Sequence, residues 1–175
     1  MIGSSKKRIG IFGGSFDPPH YGHLEISKIA LKKLFLDKIY WCVTKKNPQK
    51  NKALFPLQER IKKSKTITKK IKTIKIKFFE DKVKSINTVD LISYLKKKNK
   101  KNIFFLIIGS DNLIKFHKWK NWKLLLELTN IVVFSRKDYD KKAKKSVMMK
   151  SVKKIIFIKN KSINISSTQI RKKIS

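Results

Sequence analysis

The sequence is short of cysteine and of long apolar runs. Its only cysteine among 175 residues is Cys42, so no disulfide can form within the chain. We therefore expect a buried thiol and a cytoplasmic location. The longest apolar run, 103–108, is far shorter than the ~20 residues that cross a bilayer, and no signal-peptide core follows the charged N-terminus. These shortages argue against a disulfide scaffold, a secreted protein and a membrane partner.

Acidic residues and arginines are also scarce, whereas lysine is in excess. Lysine and arginine total 45 against 11 acidic residues, which gives a formal net charge of +34. Such charge can bind nucleic acid by releasing counterions from phosphates, so an RNA-binding module is one hypothesis. However, the only arginines are Arg8, Arg60, Arg136 and Arg171, and the lysines are spread over every segment, as AT-rich codons would make them. We therefore expect general attraction of polyanions and no specific nucleic-acid partner.

Apolar strand-like runs alternate with helical stretches along the whole chain. The predicted strands are 8–12, 38–43, 73–79, 103–108, 131–134 and 155–158, and the predicted helices are 22–36, 56–70, 87–98, 121–128 and 166–173. This alternation predicts an α/β fold with a Rossmann-like, doubly wound parallel sheet and helices on both faces. Length and the lack of internal repeats predict one domain over 1–175. The lysine-rich segment 137–154 is poorly patterned, and we expect it to be a mobile surface segment.

The strongest chemical signal is the segment 13–23, GGSFDPPHYGH, which follows the first strand and opens the first helix. In doubly wound sheets, ligands bind at the carboxyl ends of the strands. Gly13 and Gly14 let the backbone approach a ligand without an intervening Cβ, and Ser15 offers a hydroxyl and an N–H. His20 and His23 lie three apart at a helix N-terminus, where both can face one phosphate. The segment predicts an anion-binding site.

A second anion-binding pattern lies near the C-terminus, at 165–171, ISSTQIR. Ser166 and Gln169 have capping-box spacing, and Ser167 and Thr168 present hydroxyls at the start of a helix. Arg171 adds a planar fork that suits phosphate oxygens. The two patterns together predict the two halves of one nucleotide site.

These two segments resemble the H/T-x-G-H and Ile-Ser-Ser-Thr-x-Ile-Arg signatures of the nucleotidyltransferase superfamily. The resemblance implies the nucleotidyltransferase type of Rossmann-like fold and an ATP substrate that carries Mg2+. It assigns catalysis to His20, His23, Ser15 and Arg171. It implies ATP binding by Gly13, Gly14, Ser15, Phe16, His20, Gly22, His23, Gly109, Asp111, Ser166, Ser167, Thr168 and Arg171.

The segment 108–119, IGSDNLIKFHKW, resembles the bacterial nicotinate mononucleotide adenylyltransferases, as do 41–50, 85–91 and 135–139. In that family a tryptophan stacks on the pyridine ring, and here it falls on Trp119; stacking on a flat ring gains contact area at little entropic cost. Asn87 stands where the family has an aromatic residue. The resemblance implies mononucleotide binding by Gly14, Ser15, Thr44, Asn47, Lys50, Thr88, Asp90, Phe116, Trp119 and Arg136.

The resemblance implies transfer of the adenylyl group of ATP to nicotinate mononucleotide, giving deamido-NAD and pyrophosphate. Nicotinamide mononucleotide or another phosphate acceptor is the alternative within the superfamily, and the sequence alone does not separate the acid from the amide. The segment 116–119 argues against phosphopantetheine. An RNA-binding module on a nucleotide fold would interleave basic residues with exposed aromatics on one face, a pattern that the sequence lacks. The oligomeric state is not legible in the sequence.

Overall fold

Six strands and the helices between them form the described part of the molecule, which is a computed structural model. The structure describes residues 5–45, 53–152 and 155–160, together with Ser167 and Ile170. The first half contains β1 (Arg8–Gly14), α1 (Tyr21–Lys33), β2 (Lys38–Val43), α2 (Leu57–Thr68), β3 (Ile74–Lys77), α3 (Glu80–Val83) and α4 (Thr88–Lys98). The second half contains β4 (Ile103–Gly109), α5 (Ser110–Lys115), a 3-10 turn (Phe116–Lys118), α6 (Trp122–Leu128), β5 (Asn130–Phe134), α7 (Asp140–Lys144), α8 (Val147–Ser151) and β6 (Ile155–Ile158).

The sheet is parallel throughout its described strands, and its order is β3-β2-β1-β4-β5-β6. The chain moves outward from β1 to β3 and then crosses back to add β4 on the other side of β1. The strand order therefore reverses between β1 and β4, and in such sheets this switch point opens a crevice at the carboxyl ends of the strands. The predicted doubly wound, Rossmann-like fold is confirmed.

Helices cover both faces of the sheet because its central strands are apolar on both sides. In β4, Phe104 and Leu106 pack in the cluster that also contains the buried side chains of α4 to α8. Phe105 and Ile107 point the other way and share a cluster with the buried side chains of α1. The two faces thus form two cores, separated by a sheet whose carboxyl edge stays open for a site.

The prediction that 137–154 is a mobile surface segment is wrong, because the segment contains the two helices α7 and α8. Each helix has five residues and buries one apolar side chain completely, Ala143 in α7 and Met148 in α8. Helices this short contain too few residues to show the helical period in a sequence. Their stability comes from burial in the core beside α5, which the local sequence does not reveal.

Smaller predictions also have outcomes in the structure. Cys42 is buried, as expected, and burial raises the pKa of its thiol to about 12. Asn121 precedes α6 as predicted, but with a left-handed backbone and without a capping bond from its side chain. The predicted last helix lies outside the described residues except for Ser167 and Ile170, which are helical. Of the helices described, none is long and apolar enough to span a membrane.

Candidate active site

The described residues that the sequence assigns to substrate binding gather at the carboxyl edge of the sheet. The end of β1 carries Gly13 and Gly14, and the loop after it and the start of α1 carry Ser15, Phe16, His20, Gly22 and His23. Thr44 follows β2, and Thr88 and Asp90 begin α4. Gly109 ends β4, Asp111, Phe116 and Trp119 follow that strand, and Arg136 follows β5. Ser167 is described as well. Asn47, Lys50, Ser166, Thr168 and Arg171 lie outside the described residues.

The two histidines form a reciprocal cap at the N-terminus of α1. The Gly22 N–H donates to Nδ1 of His20 at 3.1 Å, and the His20 N–H donates to Nδ1 of His23 at 3.2 Å. Because Nδ1 accepts in both rings, the proton of each neutral imidazole is assigned to Nε2. The ring centroids are 3.9 Å apart. The cap therefore sets two Nε2–H donors side by side at the positive end of a helix dipole.

Buried aromatic rings hold the His23 ring in place. Phe16 stacks on Trp41 with centroids 4.7 Å apart, and its ring lies 4.9 Å from that of His23. Trp41 Nε1 donates to Ser27 Oγ at 2.8 Å, and Ser27 Oγ donates to the His23 carbonyl at 2.9 Å. Sequence reasoning missed this support, and it placed Phe16 against ATP. Phe16 as a whole residue is only 2% exposed, which leaves little of its surface for such contact.

Glycine suits positions 13 and 109 for different reasons. A Cβ on Gly13 would meet no atom of the described residues within 4 Å, and no described glycine has a positive φ, so the described part of the fold does not require glycine at position 13. The open space beside it suits a closely bound ligand. A Cβ on Gly109 would collide with the carboxylate of Asp111 and lie 2.8 Å from Nε of Arg136. Gly109 therefore makes room for an ion pair at the site.

That ion pair joins the ends of β4 and β5. Arg136 Nη1 lies 3.3 Å from Asp111 Oδ2, and the Arg136 N–H donates to Ser110 Oγ at 3.0 Å and to Asp140 Oδ1 at 2.8 Å. Burial raises the pKa of Asp140, but hydrogen bonds from Ser135, Ser110 and the Arg136 N–H oppose it, and the net shift is downward. Asp140 therefore stays ionised and fixes the backbone of Arg136.

The two sequence motifs meet in the structure although 149 positions separate the residues in contact. Ser167 Oγ donates to the carbonyl oxygen of Pro18 at 3.0 Å. The hydroxyl proton of Ser167 is thus engaged with the loop after β1. The contact brings Ser167 of the C-terminal motif against the histidine motif, as two halves of one site require.

The aromatic element after β4 has an inner and an outer ring. Phe116 is fully buried, and Trp119 is half-buried, with centroids 5.0 Å apart. Phe116 therefore lies behind Trp119 and supports it. Asp90, at the start of α4, accepts from Ser85 Oγ at 2.6 Å and lies 3.4 Å from Lys120 Nζ, one residue beyond Trp119. The hydrogen bond from Ser85 is the main cause of the lowered pKa of Asp90.

Several buried polar atoms at this edge lack a partner among the described residues. They include Thr44 Oγ1, Asp111 Oδ1 and Trp119 Nε1, all on residues that the sequence assigns to substrate binding. Buried polar groups in folded proteins are nearly always paired, so an unpaired one indicates water or a ligand group. The same edge therefore offers donors and acceptors that a polar ligand can use.

Arg60 is the buried charge that sequence reasoning missed. It is 2% exposed and donates to backbone carbonyls at the ends of β1 and β2. Burial lowers its pKa, and the charges of Asp17 and Glu80 oppose that effect. The only signal in the sequence was its residue type, because arginine is rare in a chain whose basic residues are almost all lysine.

Comparison with known proteins agrees with this geometry. The family described as Cytidylyltransferase-like matches residues 11–173. A protein of Pelagibacter ubique (strain HTCC1062) named "Probable nicotinate-nucleotide adenylyltransferase" is 50% identical over 173 residues, which cover 98% of this chain and 96% of that relative. A protein of the same name from Rhizobium leguminosarum bv. trifolii (strain WSM2304) is 38% identical over 129 residues, covering 73% of this chain and 67% of that relative.

Solved structures share the fold. Plasmodium falciparum nicotinic acid mononucleotide adenylyltransferase complexed with NaAD matches with a TM-score of 0.79 and 22% identity, covering 95% of this chain and 83% of that one. The same enzyme complexed with APC gives a TM-score of 0.77 and 23% identity over the same shares of the two chains. Strand order, the meeting of the two motifs and the near full-length match in sequence agree with one another. The chain belongs to the cytidylyltransferase-like family and, within it, to the nicotinate-nucleotide adenylyltransferases.

Proposed function

We propose that the protein transfers the adenylyl group of ATP to nicotinate mononucleotide, giving deamido-NAD and pyrophosphate. The observation that carries this proposal is the hydrogen bond from Ser167 to Pro18, because it joins the two nucleotide-binding motifs at the switch point of the sheet. The names of the relatives supply the acceptor and the product. The single cysteine agrees with a place in the reducing cytoplasm.

The reaction needs alignment and charge neutralisation more than it needs a base. The second pKa of a phosphate monoester is about 6, so the mononucleotide phosphate is largely ionised at neutral pH. One of its oxygens forms a bond to the α-phosphorus of ATP, the bond from that phosphorus to the oxygen bridging to the β-phosphate breaks, and the electron pair leaves with pyrophosphate. No proton transfer to the enzyme is required.

We assign the triphosphate of ATP to the histidine cap. The Nε2–H groups of His20 and His23 donate to phosphate oxygens, and they neutralise charge that grows on the leaving group. Backbone N–H groups that donate to Nδ1 fix the tautomer of both rings. Gly13, Gly14, Ser15 and the backbone of Phe16 form the wall beside them, and Arg171 and Thr168 of the second motif are proposed to add donors.

The adenosine half of ATP and the acceptor lie on either side of this cap in our assignment. Asp111 binds the adenosine, with its carboxylate held by Arg136. Trp119 stacks on the pyridine ring and Phe116 fixes the orientation of Trp119. Thr44, Asn47, Lys50 and Thr88 line the mononucleotide side, and Asp90 holds the start of α4 against Lys120.

Magnesium enters this scheme as part of the ATP substrate. The residues described contain no group of three or more His, Cys, Asp or Glu side chains that could hold a metal ion. Mg2+ commonly keeps several waters and binds substrate phosphates in place of an all-protein cage. An ion carried by the triphosphate would screen charge on the phosphate oxygens.

A turnover assay tests the proposal directly. ATP is supplied with nicotinate mononucleotide, nicotinamide mononucleotide or phosphopantetheine, and both pyrophosphate and the dinucleotide product are measured. We expect turnover to be fastest with the nicotinate form, because its carboxylate can accept backbone N–H bonds whereas the amide presents an NH2 to the same donors. Faster turnover with either other acceptor would assign the protein a different substrate, and no pyrophosphate with any acceptor would refute adenylyl transfer.

A further inference from the structure

Arg60 projects from α2 into the space behind the substrate-binding edge, where four backbone carbonyls surround its guanidinium. Nη1 donates to the carbonyls of Ser15 at 2.6 Å and Thr44 at 2.8 Å. Nη2 donates to the carbonyl of Lys45 at 3.1 Å, and Nε donates to that of Phe55 at 2.9 Å. Four of the five N–H groups of the guanidinium are therefore used on backbone, in a planar arrangement that no other side chain reproduces.

Three of the four carbonyls belong to two different parts of the site, and the fourth, that of Phe55, lies in the segment before α2. Ser15 lies in the loop after β1, which we assign to the triphosphate of ATP and which also borders the mononucleotide, whereas Thr44 and Lys45 follow β2 on the side that we assign to the mononucleotide alone. A single nitrogen, Nη1, contacts both parts. Nη1 thus adds a buried side-chain link beyond the last strand pair, next to the backbone bond from the Thr44 N–H to the Gly14 carbonyl at 3.0 Å.

Neighbouring carboxylates anchor the same arrangement. Asp17 accepts from the N–H groups of Leu54 at 2.8 Å and Phe55 at 2.9 Å, which ties the loop after β1 to the segment before α2. Glu80 accepts from the Lys45 N–H at 3.1 Å and 3.2 Å. Both carboxylates offset the buried charge of Arg60. The bonds leave the ends of β1 and β2 little freedom to move apart.

We propose that Arg60 is a positioning residue that sets the spacing between the ATP-binding and mononucleotide-binding halves of the site. It touches neither substrate and acts through the carbonyls of Ser15 and Thr44. The proposal rests on the proposed function, because it assumes that the two loops serve two different substrates. The proposal accounts for an arginine at position 60 in a chain whose basic residues are almost all lysine, because lysine lacks the planar set of donors that these carbonyls accept.

The test compares Arg60→Lys with a matched variant, Arg8→Lys. Arg8 lies at the opposite edge of the sheet, where Nε donates to the carbonyl of Leu34 at 2.9 Å and the guanidinium lies 4.7 Å from the Phe105 ring centroid. Both substitutions keep the positive charge and remove a guanidinium that donates hydrogen bonds to backbone carbonyls. The measurements are the melting temperature, kcat at a temperature where each protein is folded, and the separate dissociation constants of ATP and nicotinate mononucleotide.

We expect Arg60→Lys to lower kcat by about 10- to 100-fold, because misplacing reacting groups by an ångström can cost about that much. Each dissociation constant should stay within about threefold, since either substrate alone needs only its own loop. Arg8→Lys should have a lower melting temperature than the wild type and the same kcat. An unchanged kcat in folded Arg60→Lys, or an equal loss in Arg8→Lys, would overturn the proposal.

A second variant decides the matter if Arg60→Lys does not fold. Glu80→Ala removes the acceptor of the Lys45 N–H at a half-buried position, and we expect it to lower kcat several-fold with both dissociation constants kept. A folded Glu80→Ala variant with wild-type kcat would then refute the role of this cluster. Failure of the proposed function is distinguishable, because it appears as lack of turnover in the wild type before any variant is compared.

Discussion

The amino and carboxyl edges of the sheet differ in how far their polar groups are paired by hydrogen bonds. At the amino edge the groups satisfy one another: the Arg8 N–H donates to Asp37 Oδ2 at 2.7 Å, and the Lys7 N–H donates to Asn102 Oδ1 at 3.2 Å. At the carboxyl edge, Thr44 Oγ1 and Asp111 Oδ1 are buried with no partner among the described residues. The chain itself closes most of the amino edge, where Thr129 Oγ1 is the exception among the described residues, whereas the carboxyl edge has unpaired polar atoms on several residues that the sequence assigns to substrates.

This difference indicates which edge of the sheet contributes mainly to stability and which contributes mainly to catalysis. Substitutions at the amino edge should cost stability and spare catalysis, because the bonds there end within the protein. Substitutions at the carboxyl edge should cost catalysis, and cost stability only where they touch the aromatic and arginine support. The predictions below test this contrast, from the largest expected effect to the smallest.

The largest effect should come from His23→Ala. Removing one preorganised donor to a developing negative charge typically costs about 10²–10³ in rate, so we expect kcat to fall at least ~100-fold. Circular dichroism should be unchanged, because Phe16 and Trp41 still stack behind the missing ring. Tyr21→Ala is the matched control, since Tyr21 belongs to the same motif and is 66% exposed; it should keep its turnover. Near-normal turnover of a folded His23→Ala variant would remove the histidine cap from the chemistry.

Trp119→Ala should raise the KM of the acceptor more than that of ATP. Stacking of an aromatic side chain on a base is worth ~1–3 kcal/mol, which corresponds to roughly 5- to 150-fold in binding. Trp122→Ala, three residues further along and packed against the core, should lower stability and leave the acceptor KM unchanged. Steady-state kinetics with each substrate varied separately measure both effects. A Trp119→Ala variant impaired only toward ATP would place this ring in the other half of the site.

Two glycines of β1 should respond in opposite ways to an added methyl group. The added methyl of Gly13→Ala meets no atom within 4 Å in the part of the chain that the structure describes. The variant should therefore keep the melting temperature and raise the KM of ATP by about tenfold if ATP occupies that space. Gly10→Ala would place its Cβ 2.9 Å from Ile39 and Leu36, and overpacking of this kind costs about 1–3 kcal/mol of stability. Its KM values should not change. An unaltered KM in Gly13→Ala would mean that ATP does not approach this strand end.

Asp140→Asn should have the smallest effect, a loss of unfolding free energy that appears at neutral pH and not in acid. The pKa of Asp140 is lowered in the folded protein, so its ionised form stabilises the fold at neutral pH, and this stabilisation is lost as the pH falls through the folded pKa. The unfolding free energies of wild type and variant should therefore differ at pH 7 and converge below about 3.9, the ordinary value for aspartate. Urea denaturation at several pH values measures the gap. A gap that persists unchanged into acid would assign the stabilisation to packing in place of charge.

Local patterns predicted most of the elements and the first half of the site. The bounds of β2 and β6 match the predicted ranges 38–43 and 155–158, because apolar runs between polar stretches leave little choice of strand limits. The histidine motif was legible for a similar reason: cap, glycines and histidines all lie within eleven successive residues. The helices of 137–154 escaped detection because one buried residue in each carries no period.

The sequence by itself determined the alternation of strands and helices, the histidine cap and the aromatic element, since each is specified by residues that are near one another in the chain. Only the tertiary structure decided that Ser167 meets Pro18, that Arg136 pairs with Asp111, and that Arg60 spans the ends of two strands. The residues in these contacts lie from 16 to 149 positions apart. No local period or spacing encodes such contacts, because they form when the parallel sheet brings its strand ends to one edge.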